Sequence, residues 1–395
     1  MKGSKKSTIT KIIIWVVVTN LITIAALIFL PIPFLGMKLV SDRDYQFLTD
    51  YRKLVRVHNI LDKGYVDSIT PEMEEKMLEG SIDGMVGALK DPYSTYMDEK
   101  EYESFITQAT GSYAGVGILL TNDNNKLLVI EPIEDGPAFK AGVKSGDVII
   151  KVQGNKVSGN ESEKAVSMMK GEAGTKVTIT VNRAGKEMDI TITRDVIQMK
   201  TVKAEMINKT GYVRISSFDE TTGEEFEKKV NELKGKGMDS LILDLRDNPG
   251  GILDSSIKVL DVLLDENIVL STVDNGGKKT EYKTQKGKVD VPIYVLVNKN
   301  SASASEIVSG ALKDLNAATL IGTTTYGKGL VQMTKDLQDK TALKFTVSRY
   351  YTPSGKSIQG KGIDPHIKVS DQKEPSKSLA DDPHIKKALE EIGKK

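Results

Sequence analysis

The sequence predicts a multidomain protein that joins α+β and α/β parts behind an apolar amino-terminal helix. Three observations carry this prediction. Residues 12–30 form an apolar run, residues 111–194 contain short alternating runs separated by turn residues, and strands alternate with helices over residues 200–370. The last pattern is typical of a largely parallel sheet, in which functional loops leave the carboxyl ends of the strands.

The amino terminus predicts one membrane-spanning helix. Residues 12–30 are broken by only three polar residues, and the apolar stretch through residue 36 is long enough to cross a hydrocarbon core of about 30 Å. Four lysines precede it and no acidic residue occurs before Asp42, so the positive-inside rule leaves the terminus cytoplasmic and exports the rest. We therefore expect a single-pass protein of the cell membrane with an extracytoplasmic main part. A cleaved signal peptide is the alternative, which the length of the run and the lack of an A-x-A site disfavour.

Residues 42–110 have helical spacing, with Thr70 and Pro71 as the start of a helix and Asp91-Pro92-Tyr93 as a turn. At the other end, Asp382-Pro383 predicts the start of a short helix that runs to about Ile392. These helices have apolar faces that suit either self-association or packing within the chain.

Composition excludes several kinds of chemistry. The net charge of +1 comes without a basic stripe, which disfavours nucleic acid as a partner. The chain has no cysteine, so disulfides, thiolate metal sites and cysteine nucleophiles are ruled out. Only three histidines occur, His58, His366 and His384, and no zinc motif contains them. We expect no metal and no other cofactor, and histidine is a poor candidate for a catalytic base.

Three loops carry candidate chemistry. Ser301–Glu306 opens a helix, where unpaired N–H groups favour developing negative charge, although Ser303 and Glu306 also fit a simple capping box. Lys328 lies between two glycines, and burial would be needed to bring its pKa from about 10.4 to a useful range; a solvated turn lysine is the alternative. Gly250 and Gly251 follow a strand and suit an oxyanion hole or an ordinary turn.

In this order and spacing, the three loops resemble those of the C-terminal processing peptidases, the PDZ-containing, tail-specific Ser–Lys proteases of peptidase family S41A. The resemblance covers nearly the whole chain after the apolar run and includes GVGI, Arg-x-Asn-x-Gly-Gly, Ser-Ala-Ser-Ala-Ser-Glu, and Gly-Lys-Gly before a glutamine. It implies that Ser303 is the nucleophile, Lys328 the base and Gln332 the third member of the site. Gln332 is expected to hold the lysine by a hydrogen bond. The implied oxyanion donors are Gly250 or Gly251 and the N–H of Ala304.

The resemblance also implies the domain plan and the partners. A PDZ-like domain would bind a substrate carboxylate through Gly115, Val116, Gly117 and Ile118, and Lys170 would link peptide binding to the protease. Expected partners are unfolded or loosely structured protein C-termini, the membrane and a second copy of the chain in a homodimer. The expected parts are the terminus and anchor (1–37), a helical segment (38–102), the PDZ-like domain (103–195), a crotonase-like α/β protease core (196–370) and a polar tail with a short helix (371–395).

The sequence therefore predicts a membrane-anchored serine endopeptidase that cleaves proteins at or near their C-terminal tails. Two alternatives stay open. One is a catalytically silent, membrane-tethered PDZ adaptor, which the presence of the serine, lysine and glutamine disfavours. The other is a crotonase-like acyl-CoA enzyme, which the apolar run and the PDZ-like pattern do not support.

Overall fold

The computed structural model describes residues 11, 13–23, 42–285, 287, 289–371 and 378–394. Residues 13–23 are helical. Within the described ranges, no helix is both long and apolar enough to cross a membrane. The predicted anchor includes residues 12 and 24–30, which lie outside the described residues. The chain divides into two units, residues 1–81 and residues 82–395.

The first unit contains helix α1 (Asp42–Gly64) and the start of helix α2 (Pro71–Gly87). The start of α2 matches the prediction, since the side chain of Thr70 accepts a hydrogen bond from the N–H of Met73 and proline occupies the first helical position. On α1, Leu54, Val57 and Leu61 are spaced three and four residues apart, which places them on one face, and each is 39–48% exposed. Among the described residues of its unit, the helix therefore presents an exposed apolar face.

The second unit begins with the end of α2 and a turn. Asp91 forms the predicted turn by accepting the N–H of Tyr93 and the hydroxyl of Ser94. Strand β1 (Thr95–Met97) follows, and then helix α3 (Glu99–Thr110), which a capping box of Asp98 and Glu101 starts. The short strand β1 was not predicted from the sequence.

A β-rich module follows, as the alternating runs predict. Its main sheet has the strand order β3-β4-β5-β7-β8, with β6 beside β5, and a second pair joins β2 to β9. The strands are β2 (Ser112–Gly115), β3 (Ile118–Asp123), β4 (Lys126–Pro132), β5 (Val148–Val152), β6 (Asn155–Lys156), β7 (Lys176–Arg183), β8 (Lys186–Thr193) and β9 (Asp195–Gln198), and the helices are α4 (Pro137–Lys140) and α5 (Ser162–Met169). Strand β3 lies at the edge of the main sheet.

The next sheet is largely parallel, again as predicted. Its order is β10-β11-β12-β15-β16-β19, and only the β10–β11 pair is antiparallel. The strands are β10 (Val202–Ile207), β11 (Thr210–Ile215), β12 (Ser240–Asp244), β15 (Ile293–Val297), β16 (Ala318–Gly322) and β19 (Ile367–Lys368), and the helices are α6 (Thr222–Gly235), α7 (Leu253–Leu263), α8 (Ala304–Asp314) and α9 (Pro383–Ile392).

Helices cover both faces of this sheet. In β12, Leu241 and Leu243 point into one apolar cluster with residues of α6, α7 and α8, whereas Ile242 points into another with Ile385 of α9. Successive side chains of a strand point to opposite faces, so a continuous apolar run is what a strand buried on both faces requires. The loops that follow β12 and β15 therefore leave a rigid, buried part of the fold.

A third sheet completes the unit, with β1, β18, β13 and β14 in order and β17 beside β18. Its remaining strands are β13 (Ile268–Asp274), β14 (Lys279–Lys283), β17 (Leu330–Asp336) and β18 (Ala342–Tyr351). The pairing of β1 with β18 sets Thr95 opposite Lys344. Through this pairing, the segment that precedes the β-rich module reaches the strands that follow Lys328.

Candidate active site

Ser303 lies in the loop between β15 and α8, at the amino end of the helix. Its φ of 53° and ψ of −114° are unusual for a residue with a side chain, and such a conformation costs on the order of 1–3 kcal/mol. Two neighbouring serines hold the loop: Ser301 donates to the carbonyl of Leu245 at 2.8 Å, and Ser305 donates to that of Asn248 at 3.0 Å. The strained serine is thus fixed to the loop that follows β12.

Gly250 lies directly against Ser303. A Cβ atom placed on Gly250 would stand 2.8 Å from the Cβ of Ser303, 2.7 Å from the carbonyl oxygen of Ala302 and 2.9 Å from the nitrogen of Ala304. Its φ of 98° also favours glycine. Ala304 is the first residue of α8, so its N–H has no acceptor within the helix. The turn and this N–H therefore border the same space beside the serine.

The two glycine N–H groups differ in their surroundings. The N–H of Gly250 donates to the side-chain oxygen of Asn248 at 2.8 Å. Gly251 forms a bridge with Phe218, in which Phe218 donates to the carbonyl of Gly250 at 2.9 Å and Ile252 donates to that of Phe218 at 2.7 Å. In this bridge geometry the N–H of Gly251 points away from Phe218. Of the two predicted oxyanion donors, Gly251 thus has the N–H that is available.

Lys328 lies between β16 and β17 in a loop that its flanking glycines allow to pack closely. A Cβ on Gly327 would stand 2.8 Å from the nitrogen of Gly362, and one on Gly329 would stand 2.9 Å from the nitrogen of Gln359. This lysine loop, between β16 and β17, is also bound to the serine loop, between β15 and α8. The N–H of Tyr326 donates to the carbonyl of Ser301 at 3.0 Å.

One buried carboxylate joins the two loops. Oε2 of Glu306 accepts the N–H of Ser303 at 2.9 Å and the N–H of Lys328 at 2.8 Å. Oε1 accepts the N–H of Gly327 at 2.7 Å and the hydroxyl of Thr325. The sequence suggested only a capping box for this glutamate. Its contacts with the lysine loop come from a part of the chain some twenty residues away, which no local pattern indicates.

The surroundings of Lys328 favour its neutral form. Burial lowers the pKa of the Lys328 amine, and the charge of Lys344 lowers it further, while Asp91 and Glu306 act in the opposite direction. Among the described residues, no direct hydrogen bond joins its Nζ atom to Ser303. Nζ instead lies 4.8 Å from the centroid of the Tyr93 ring. Hydrogen bonds between catalytic groups are often formed only when substrate is bound.

Gln332 does not make the expected bond to the lysine. Its Nε2 atom donates to the hydroxyl of Thr346 at 3.3 Å, across the pairing of β17 with β18. The histidines take other roles: the Nδ1 atom of His366 accepts the N–H of Leu320. His384 is a buried residue of the first turn of α9, where burial and then the charge of Arg246 lower its pKa.

The predicted carboxylate-binding loop connects β2 to the edge strand β3. Gly117 has a φ of 71°, and its carbonyl accepts the N–H of Ile133 at 2.9 Å, while the carbonyl of Val116 accepts that of Ala138 at 2.9 Å. Within the described part of the chain, the N–H groups of Val116 and Gly117 have no acceptor. With Gly115 and Ile118, the loop offers free donors beside a strand edge, as peptide addition requires.

Lys170 lies close to this loop. A Cβ on Gly115 would stand 3.9 Å from the Cα of Lys170, which follows the last residue of α5. Its amine forms an ion pair with Glu103 of α3 at 3.1 Å. The lysine therefore links the β-rich module to α3, the helix that follows the Tyr93 turn.

Comparisons with known proteins give a consistent result. Three family models match: the N-terminal domain of the activating protease CtpB at residues 37–101, the PDZ domain at 114–193 and peptidase family S41 at 209–369. A carboxy-terminal-processing protease of Bartonella bacilliformis is 41% identical over 81% of this chain and 75% of its own. The carboxy-terminal processing protease CtpA of Bacillus subtilis is 38% identical over 85% of this chain and 71% of its own.

The fold is also found in a solved S41-type structure from Bacteroides fragilis. That structure has a TM-score of 0.51 with this chain at 17% identity, over 80% of this chain and 90% of the other.

Proposed function

The chain belongs to the carboxy-terminal-processing proteases of peptidase family S41, which makes it a serine-type peptidase with a PDZ domain, and we propose that Ser303 and Lys328 are its catalytic pair. The observation that carries this proposal is the Glu306 carboxylate, one oxygen of which accepts the backbone N–H of both residues. A single rigid group thereby fixes the serine loop and the lysine loop to each other.

Catalysis then follows from the positions of these groups. The neutral amine of Lys328 takes the proton of the Ser303 hydroxyl as the serine oxygen attacks the peptide carbonyl carbon. The N–H groups of Gly251 and Ala304 hold the resulting oxyanion, and one such donor can lower the barrier by about 3 kcal/mol. When the C–N bond breaks, the Lys328 ammonium returns the proton to the leaving amine, and water hydrolyses the acyl-enzyme.

Burial of Lys328 is essential to this scheme. An ordinary lysine is almost entirely charged at neutral pH and takes up no proton. Because burial lowers the pKa of the Lys328 amine, a larger fraction of the molecules hold it neutral at neutral pH. Gln332 would then position the site through Thr346 in the free enzyme, and it would turn toward the lysine only with substrate bound.

The substrate class proposed is the C-terminal tail of an unfolded or loosely structured protein. A tail would add as a strand along β3, and the N–H groups of Val116 and Gly117 would bind its terminal carboxylate. The Lys170 amine adds positive charge near this loop. On peptide binding it would leave its ion pair with Glu103 and contact the peptide instead.

We also propose that the protease acts outside the cytoplasm from a membrane anchor and as a homodimer. The apolar run and its preceding lysines support the anchor, and they predict an extracytoplasmic protease. The exposed apolar face of α1, formed by Leu54, Val57 and Leu61, supports self-association. Cell fractionation with protease-accessibility mapping tests the first proposal, and light scattering of the purified protein tests the second.

The catalytic proposal is tested with the full chain, purified in detergent and incubated with casein. We expect the wild type to cleave casein and Ser303→Ala to cleave none, with an unchanged thermal midpoint. The matched control is Ser309→Ala, which makes the same change further along α8, where the hydroxyl only bonds the carbonyl of Ser305. Cleavage by Ser303→Ala at the wild-type rate would remove this serine as the nucleophile.

The rival function is a PDZ adaptor that binds tails without cleaving them. Peptides with free and amidated C-termini discriminate between the two. Binding of the free acid without cleavage of casein or of the peptide supports the adaptor, whereas cleavage that depends on Ser303 supports the protease.

A further inference from the structure

An aromatic residue from outside the S41-matching region reaches the candidate base. The ring centroid of Tyr93 lies 4.8 Å from the Nζ atom of Lys328, although 235 positions separate the two residues in the sequence. Tyr93 precedes the PDZ-matching region, and the S41 match begins at residue 209. The site described above is therefore completed by a segment of the chain that the protease core does not contain.

Hydrogen bonds fix the turn that carries Tyr93. Its N–H donates to Asp91 at 3.2 Å, and the hydroxyl of Ser94 donates to the same carboxylate at 2.6 Å. The Ser94 hydroxyl oxygen accepts the N–H of Thr346 at 3.2 Å, and Thr346 is the residue that Gln332 contacts. The turn is thus bound to Thr346 of β18, the same residue that contacts Gln332, the third member of the candidate site.

The tyrosine hydroxyl lies near two side chains at the other side of the site. It interacts with the side chains of Tyr326 and Gln359. Gln359 accepts the N–H of Gly329 at 2.8 Å, and Tyr326 lies two residues before Lys328. Burial raises the pKa of the Tyr93 hydroxyl, which therefore stays protonated near neutral pH. The hydrogen bonds of the turn therefore fix the backbone of Tyr93, and its ring centroid lies 4.8 Å from the amine.

The charged groups that face the amine come from three other elements. Asp91 belongs to the turn, Glu306 to α8 and Lys344 to β18. The two carboxylates favour the ammonium form of Lys328, and Lys344 disfavours it. Since these charges oppose one another, the access of water to the amine decides which form prevails.

We propose that Tyr93 is a positioning residue that covers the Lys328 amine with its ring, excludes water from it and so keeps it available as a base near neutral pH. This inference rests on the proposed role of Lys328. It extends the catalytic unit to the segment that precedes the PDZ domain, and the S41-matching region alone would have an uncovered, largely protonated lysine. A ring face also attracts a cation, and the proposal requires that the exclusion of water outweighs this attraction.

The test is the pH dependence of kcat/KM for a fluorescence-quenched peptide substrate, measured between pH 6 and 10 with the full chain. The variants are Tyr93→Ala, Tyr93→Phe and, as a control in the same turn, Pro92→Ala. Tyr93→Ala should move the midpoint of the rise in kcat/KM to higher pH. Because the neutral fraction changes tenfold per unit below the pKa, we expect kcat/KM at pH 7 to fall at least about fivefold and to recover toward pH 10.

Tyr93→Phe keeps the ring and should keep the wild-type midpoint. Loss of kcat/KM by one factor at every pH, with an unshifted midpoint, would mean a merely structural role and would overturn the inference. A midpoint that moves to lower pH would overturn it too, because the ring would then stabilise the ammonium form.

The outcome is separable from that of the proposed function. If Lys328→Met keeps the wild-type pH profile, the lysine is not the base, and the proposed function fails together with this inference. If Lys328→Met is inactive and Tyr93→Ala leaves the midpoint in place, only the inference fails.

Discussion

Glu306→Gln is the most informative change in the site, because the side chain keeps its shape and loses its charge. Glu306 accepts four hydrogen bonds, two at each oxygen. Glutamine has only one oxygen, and its NH₂ group is a donor. In one orientation the NH₂ faces the N–H groups of Ser303 and Lys328; in the other it faces the N–H of Gly327 and the hydroxyl of Thr325. The first orientation replaces two hydrogen bonds with donor–donor contacts. The second replaces one, because the Thr325 hydroxyl can turn and accept from the NH₂ group.

The magnitude follows from these bonds. A hydrogen bond to a charged group contributes about 1.5–3 kcal/mol, so the loss is about 1.5–3 kcal/mol where one bond is lost and about 3–6 kcal/mol where two are lost. Part of this loss will appear in the free energy of unfolding and part in the alignment of the two loops. If only about 2.7 kcal/mol reaches the transition state, kcat/KM falls about 100-fold.

The assay compares kcat/KM for the peptide with the free energy of unfolding in urea, for Glu306→Gln and for Glu281→Gln. Glu281 lies on the exposed hairpin strand β14, in an ion pair with Lys279 at 2.9 Å. Such surface pairs contribute about 0–1 kcal/mol, so this control should keep wild-type activity and stability. Wild-type kcat/KM for Glu306→Gln would refute the reasoning, since it would show that the carboxylate does not hold the two loops together.

Two further changes test the surroundings of the site. Gly250→Ala places a methyl group at 2.7–2.9 Å from atoms of the serine loop, so we expect loss of casein cleavage; Gly154→Ala, also at positive φ but with no atom within 4 Å of the new methyl, should remain active. Arg246→Met leaves the buried carboxylate of Asp244 and that of Asp382 without their shared partner, and we expect urea unfolding to show a loss of about 3–5 kcal/mol. A loss below about 1 kcal/mol would contradict the importance of this network.

Much of the fold was predictable because its patterns are local. The apolar runs of β12 and β15, the alternation in β7 and the cap of α9 each lie within a few consecutive residues. Asp382 indeed accepts the N–H groups of His384 and Ile385 at the start of α9. Spacing along the chain specifies such elements directly.

The missed elements depend on distant partners. Strand β1 has three residues, and it is a strand because β18 pairs with it more than 240 positions later. Strands β13 and β14 were also missed. Their pairing contains a register shift, and their residues show no clear alternation of apolar and polar side chains. The crotonase-like description of the core stays a prediction, as does the role of each site residue.

For the candidate site, too, local motifs were predictable and contacts between distant residues were not. The motifs indicated Ser303, Lys328 and the glycine turn, because each sits in a short, unusual stretch. Nothing local indicated that Glu306 contacts the lysine loop or that Tyr93 covers the amine, since both contacts exist only in the folded chain. Gln332 illustrates the converse: its motif position implied a bond to the lysine, and in the structure it contacts Thr346.

The most direct test of the Ser–Lys mechanism compares casein cleavage by the wild type and by Lys328→Met from pH 6 to 10. Methionine retains the length of the side chain without a basic group. Because burial lowers the pKa of the Lys328 amine, wild-type cleavage should rise through a single ionisation whose midpoint lies below the usual lysine range. We expect no cleavage by Lys328→Met at any pH, with the thermal midpoint retained. Cleavage by this variant with the wild-type pH profile would contradict the account.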